Sequence, residues 1–281
     1  MGSRSKLLPR WYSSLGDINL IRRALRDILP PIPPPNKRGQ PPKRPPRDYL
    51  SLLVVKEFKR SSLRSAETDW TEAVCGERVD HSVIHYWEKN FPMEVIEQAI
   101  RDFGTRLEQL IGYKFSVIDA TSFADWHQGK TGFHLLNRIT EGTVYPVNIA
   151  PDTLNPVPNT RDTMVPGDGW FMADAWYDVN KVFKVIEEHG YVPLVNPNKD
   201  RNKGYWRRRA RKVFALYWRT YRQRGRGESV FGSLTNAFGD RMHTMLHGTT
   251  YIRSCARVLA YQVKLYIRAT HCGELVIWAN S

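Results

Sequence analysis

Three cysteines in 281 residues, Cys75, Cys255 and Cys272, are too few and too scattered for a disulfide framework, and none forms a Cys-x2-Cys zinc pair. No run approaches the roughly 20 consecutive apolar residues that a bilayer demands, and Met1 to Ser14 lack the apolar segment of a secretory signal. A protein that stays in the cytoplasm is expected. Dinucleotide fingerprints, phosphate-cradling glycine loops and Ser or Cys nucleophile motifs are also missing, because Gly225-Arg226-Gly227 follows no apolar strand. Nothing therefore points to covalent catalysis.

The composition is that of a globular chain, 41% hydrophobic and 25% charged, long enough for one large or two ordinary domains. Its net charge of +14 is unevenly placed. Residues 1 to 60 carry a net +10, residues 61 to 198 a net −9, residues 199 to 226 a net +11, and the remainder +2. Two cationic blocks bracketing an acidic centre attract phosphate through counterion release whatever the base sequence, so nucleic acid is the expected polyanion.

Leu15, Ile18, Ile21, Leu25, Ile28 and Leu29 repeat at helical spacing. Between Pro30 and Pro46 lie nine of the eighteen prolines, which predicts an extended basic linker. Helices are expected around Leu52 to Lys59, Ser65 to Val74, from Asp80 or His81, and from Pro92 to Ile111. Strands follow at Phe115 to Asp119, Phe133 to Ile139 and Thr143 to Ile149, read as consecutive antiparallel neighbours. After a loop from Pro151 to Gly169 come a strand at Trp170 to Ala173, a helix at Val179 to His189 and a strand at Tyr191 to Val195. Helices at Ser229 to Phe238 and Tyr251 to Ile267 close the chain. This divides it into a basic, proline-rich arm (1–46), a helical DNA-binding domain (47–112), an α/β domain (113–270) and a tail (271–281).

Two acidic residues stand where apolar strands give out: Asp119 after Phe115-Ser116-Val117-Ile118, and Asp174 after Trp170-Phe171-Met172-Ala173. A third, Glu228, opens an apolar helix behind Tyr221-Arg222-Gln223-Arg224-Gly225-Arg226-Gly227. Each has an ordinary explanation, a helix cap for Asp174 and a helix-start charge for Glu228. Taken together, three carboxylates suit phosphodiester chemistry, which needs the attacking and leaving oxygens stabilised by divalent ions. Oxygen donors without cysteine favour Mg2+ or Mn2+, two ions in all. His243 and His247 share a zinc-like spacing without a metalloprotease motif, and Gly248 breaks the pattern. Asp178 is a rival to Asp174, with capping or exposure as its plainer explanation. Trp176 and His127 could contact a base or a phosphate, although core roles are commoner for such side chains.

Val117 to Phe123, Ala173 to Asp178 and Tyr221 to Phe231 resemble, in order and strand context, the three motifs of prokaryotic insertion-sequence DDE transposases. Pro45 to Leu63, Cys75-Gly76 and Asp80 to Ile84 resemble the region upstream of them. One branch has the signature Tyr-x2-Arg-x3-Glu-x6-Lys, and Tyr221, Arg224 and Glu228 fit it, with Thr235 at the final position. The resemblance implies a ribonuclease-H-like core, a mixed sheet flanked by helices, behind the small all-helical N-terminal domain. It also implies an endonuclease and strand-transfer enzyme, nucleoid-associated, in which Asp119, Asp174 and Glu228 bind magnesium and Tyr221 and Arg224 hold DNA. Arg207, Arg208, Arg209, Arg222 and Arg226 are expected to contact DNA as well. Double-stranded DNA, as terminal inverted repeats and target, is the implied partner of a homodimer. The rival readings are a DNA-binding protein without the chemistry and a ribonuclease-H-like nuclease.

Overall fold

The computed structural model describes residues 17–29, 31–32, 41–111, 115–124, 130–139, 143–148, 167–200, 203–239, 241–244 and 246–271. Most of the basic arm and linker, the 151–166 part of the loop, His127, Cys272 and the tail beyond residue 271 lie outside them. Six helices come first: α1 (Ile18–Ile28), α2 (Pro46–Phe58), α3 (Leu63–Asp69), α4 (Thr71–Cys75), α5 (His81–Asn90) and α6 (Met93–Ile111). Then come β1 (Phe115–Ala124), β2 (Lys130–Ile139), β3 (Thr143–Asn148), β4 (Trp170–Ala173), α7 (Asn180–Glu188), β5 (Val192–Val195), α8 (Tyr205–Tyr221), α9 (Gly225–Phe238) and α10 (His247–His271).

Local chemistry sets the helix boundaries. Asp17, Ser62 and Asp80 accept from the amides of Asn19, Ser65 and Ser82, capping α1, α3 and α5. Helix α2 begins six residues earlier than the apolar pattern predicts, because Pro46 fits a first helical turn, where no amide donor is needed. The segment expected as one helix over Ser65 to Val74 divides at Trp70, and its second part stops at Gly76, whose φ of 79° suits glycine.

The sheet has the order β3-β2-β1-β4-β5. Strands β1, β2 and β3 are antiparallel neighbours, as expected, whereas β4 joins β1 in parallel and β5 joins β4 in parallel. That order and mixture of directions is compatible with a ribonuclease-H-like DDE domain. Val117, Met172 and Leu194 form a cluster with Val213, Phe214 and Tyr221 of α8. Ile118, Phe171, Ala173 and Val195 pack with Val182, Phe183 and Ile186 of α7, and with Ala210 and Trp206 of α8. The alternation of strand residues between the two clusters is the period of two that pleating imposes. Helix α8 was not anticipated. Its arginine-rich sequence hides the apolar positions that dock it along β5.

The helical layer is drawn from both ends of the chain. Helices α1 to α6 share one apolar cluster with α9 and α10, in which Leu50, Val54, Ile100, Phe103, Leu234, Leu259 and Val263 are fully enclosed. Charge is buried there too. Glu57 on α2 is 3% exposed and accepts from Lys56 at 3.0 Å and from Arg253 and Arg257 of α10 at 2.7 and 2.8 Å. Lys56 also reaches Glu88 of α5 at 2.9 Å. Burial alone would raise the Glu57 pKa, but the charges of Lys56, Arg253 and Arg257 outweigh it and hold the carboxyl far below the usual range. Glu57→Gln leaves these cations without their main counter-charge and is expected to cost about 3–5 kcal/mol of stability, read from urea unfolding at neutral pH. An unchanged midpoint would show that the cluster contributes no net stability.

Candidate active site

Asp119 lies in β1, opposite Leu135 of β2. It does not end the strand, as the sequence suggested, because antiparallel pairing with β2 carries β1 on to Ala124. What ends near it is the pairing with β4, whose last partners are Val117 and Met172. Those last partners stand two residues before Asp119 and Asp174, respectively.

Asp174 is half-buried at the end of β4. One carboxylate oxygen accepts from the Trp176 amide at 2.9 Å, so the capping role is present. It caps a single 3-10 turn, Ala175–Tyr177, and the helix proper starts only at Asn180. Asp178 is consequently not one helical turn from Asp174. Neither is it exposed: its side chain is fully buried, and it receives Arg207 Nε at 2.6 Å and the Asn198 amide at 2.8 Å.

That pairing corrects the reading of Arg207. Its guanidinium also donates to the carbonyls of Asp178 at 2.7 Å and Lys203 at 2.8 Å, so it fastens α8 to the turn after β4 and has no reach toward DNA. Arg208, Arg222 and Arg226 are exposed, and so is Arg209, which pairs with Glu187 at 3.1 Å. Arg222 lies over the exposed Trp218 ring at 4.7 Å.

The third motif is tied to both of the strands that carry the aspartates. The Tyr221 hydroxyl donates to the carbonyl of Ala173, the residue before Asp174, at 3.2 Å. Helix α9, which carries Glu228 in its first turn, packs against β1. Arg224 holds Glu228 at 2.9 Å, while the Glu228 side chain stays 61% exposed. Thr235, at the position the signature gives to Lys, turns its hydroxyl back to the Phe231 carbonyl at 3.1 Å. His243 precedes α10 and His247 begins it, so the two do not share a helix face.

Among the described residues, another group could gather ligand atoms within 4.8 Å: Glu67, Asp80 and His81. Their atoms are already engaged. Arg78 donates twice to one Glu67 oxygen, and the His81 amide and ring face the other; these bonds hold Glu67 below the ordinary carboxylate range. Asp80 caps α5. The group clamps α3 to α5.

The sheet order defines a mixed-sheet α/β unit, with Asp119 in β1 and Asp174 at the end of β4. The family model described as the transposase DDE domain matches residues 127–262, a span that includes Asp174 and Glu228 and begins after Asp119. The match supports a DDE-type transposase, a class that works on DNA with divalent metal. No curated protein and no solved structure matches the chain. No helix among the described residues is long and apolar enough to cross a membrane.

The two neighbouring aspartates should separate experimentally. Asp178→Ala removes the partner of a buried guanidinium and is expected to cost about 3–5 kcal/mol. Asp174→Ala loses a cap worth about 1 kcal/mol. Urea unfolding of the two variants checks the difference, and equal losses would contradict it.

Proposed function

We propose that the chain is an insertion-sequence transposase that cuts and joins DNA at terminal inverted repeats, with Asp119, Asp174 and Glu228 as its metal ligands. The observation that carries the reading is the Tyr221–Ala173 hydrogen bond, which fastens the Tyr-x2-Arg-x3-Glu segment to the strand end bearing Asp174. The β1–β4 register supports it further, because its last partners, Val117 and Met172, each stand two residues before one of the aspartates.

The donor set fits Mg2+ or Mn2+. It is all oxygen, and the capping bond engages only one of the two Asp174 oxygens. When bound, two such ions stabilise the attacking and leaving oxygens of an in-line displacement. The protein's own side chains position the substrate. Arg224, paired with Glu228, brings positive charge to a DNA phosphate, and Tyr221 holds α8 in place beside the scissile strand. Arg208, Arg209, Arg222 and Arg226 extend a cationic surface along α8 and the start of α9, suited to phosphates on either side. The 47–112 helices serve DNA-end recognition, and a homodimer pairs the two ends.

Mg2+-dependent cleavage of a duplex carrying the inverted repeat tests this reading. Alanine at residue 119, 174 or 228 is expected to lower cleavage by more than about a hundredfold, since losing a direct ligand should exceed the 10–100-fold typical of an outer-shell partner. DNA affinity should persist. Variants that cut as well as the parent would overturn the triad; binding without any cleavage by the parent would favour a DNA-binding protein, and cutting without joining a nuclease.

A further inference from the structure

We propose that the cleft at the N-terminus of α10 binds a phosphodiester of the DNA backbone, forming a second contact surface apart from Asp174 and Glu228. The inference rests on the reading of DNA as the partner. The cleft, of about 850 Å3, lies between α2, α5, the C-terminus of α9 and the start of α10. Phe238 and Gly239 line it, so it sits at the opposite end of α9 from Glu228, about 15 Å along the helix axis.

Three independent features favour an anion there. Among the described residues, Lys56, Arg60, Arg241, Arg253 and Arg257 line the cleft against two carboxylates, Glu57 and Glu88, a surplus of positive charge. The 25-residue helix α10 starts at this point, with Leu246 and Thr249 on the wall. Amides of a first helical turn have no acceptor within their own helix, and in the first turn of α10 the Thr250 amide donates back to Leu246 at 3.0 Å. Thr249 itself is 4% exposed, and its hydroxyl has no partner among the described residues. The adjacent Thr250 hydroxyl, by contrast, bonds to Thr244 at 2.6 Å and to the Leu246 carbonyl.

The distribution of charge favours a polyanion over a small acid. Lys56, Arg253 and Arg257 are buried or nearly so on the floor, held by Glu57, while Arg60 and Arg241 stand exposed at the rim. Arg60 is already fixed by its bonds to the carbonyls of Asn236 and Ala237 at the end of α9. Cations held in place before binding lose little freedom when a phosphate arrives. A backbone passing the rim would meet Arg241 first and the α10 amides behind it.

The test uses the full chain, a labelled inverted-repeat duplex, and fluorescence anisotropy over a salt series. Arg241→Glu, on an exposed side chain, is expected to weaken binding about tenfold and to reduce the slope of log affinity against log salt by about 0.9, the share of one phosphate. Thr249→Val, of similar volume, should weaken binding about twofold, the low end of what one hydrogen bond contributes. Lys184→Glu, an equal charge change at an exposed side chain of α7, should leave both quantities unaltered. Equal losses in Arg241→Glu and Lys184→Glu, or none in Arg241→Glu, would overturn the cleft while leaving DNA as the partner. No binding by the parent would overturn the DNA reading itself. Thermal stabilisation by inorganic phosphate that Arg241→Glu abolishes, with DNA affinity unchanged, would mark a small-anion site and overturn the backbone assignment.

Discussion

The carboxylate of Glu57 joins parts of the chain that are 200 residues apart, and much of the architecture follows from that closure. It sits in an apolar layer, where an isolated charge would be prohibitively expensive, and it is tolerated because Lys56, Arg253 and Arg257 surround it. Such a cluster adds less net stability than apolar side chains of the same size would. Its value lies in register: α10 can satisfy Glu57 only when Arg253 and Arg257, one turn apart, both face α2. The helix that ends the described chain is thereby locked against the helix that follows the linker. Everything between them, the whole sheet included, must leave and return within that frame.

The frame also fixes where the third motif lies relative to the sheet. Helix α9 connects the interior strands β1 and β2 to the α10 frame, with Glu228 at one end and Arg60's grip on its last carbonyls at the other. Tyr221, just before α9, is anchored on Ala173, and Arg207, at the start of α8, is anchored on Asp178. The turn after β4 thus receives two attachments from one helix, on either side of Asp174. Two neighbouring aspartates divide the work: Asp178, fully buried, holds the scaffold, and Asp174, half-buried and carrying one short capping bond, stays open to solvent. Of the two neighbouring aspartates, it is Asp178 that takes the buried arginine, Arg207.

Much of this was legible in the sequence, and the failures share a cause. Periodicity located α1, α6, β4, α7, β5 and α10 because their apolar faces are clean. It missed α8, where arginines fall on positions that bury as well as positions that stay wet, so the apolar stripe is obscured. It misjudged the end of β1, since a strand that continues through polar residues is sustained by its partner β2, not by its own pattern. The Asp178–Arg207 pair spans 29 residues, and no local rule reveals it, so Asp178 read as a rival to Asp174, or else as a cap or an exposed charge. Arg207 was misread for the same reason, because a run of three arginines looks uniformly solvated until the helix phase turns one of them inward.

The same helix phase sorts the remaining cations. On α8, the residues that bury are Arg207 and Ala210, one turn apart, with Val213 and Phe214 continuing the stripe toward Tyr221. Arg208, Arg209, Lys212 and Arg219 fall outside that stripe and are exposed. The second basic block is therefore not a solvated tail. It is a docked helix with its charge displayed on one side, beside the strand end that bears Asp174. A cationic surface held rigidly by its own buried face can orient a duplex, whereas an unstructured basic tail can only attract one. That distinction separates charge that concentrates DNA near the protein from charge that sets where the backbone lies relative to the carboxylates.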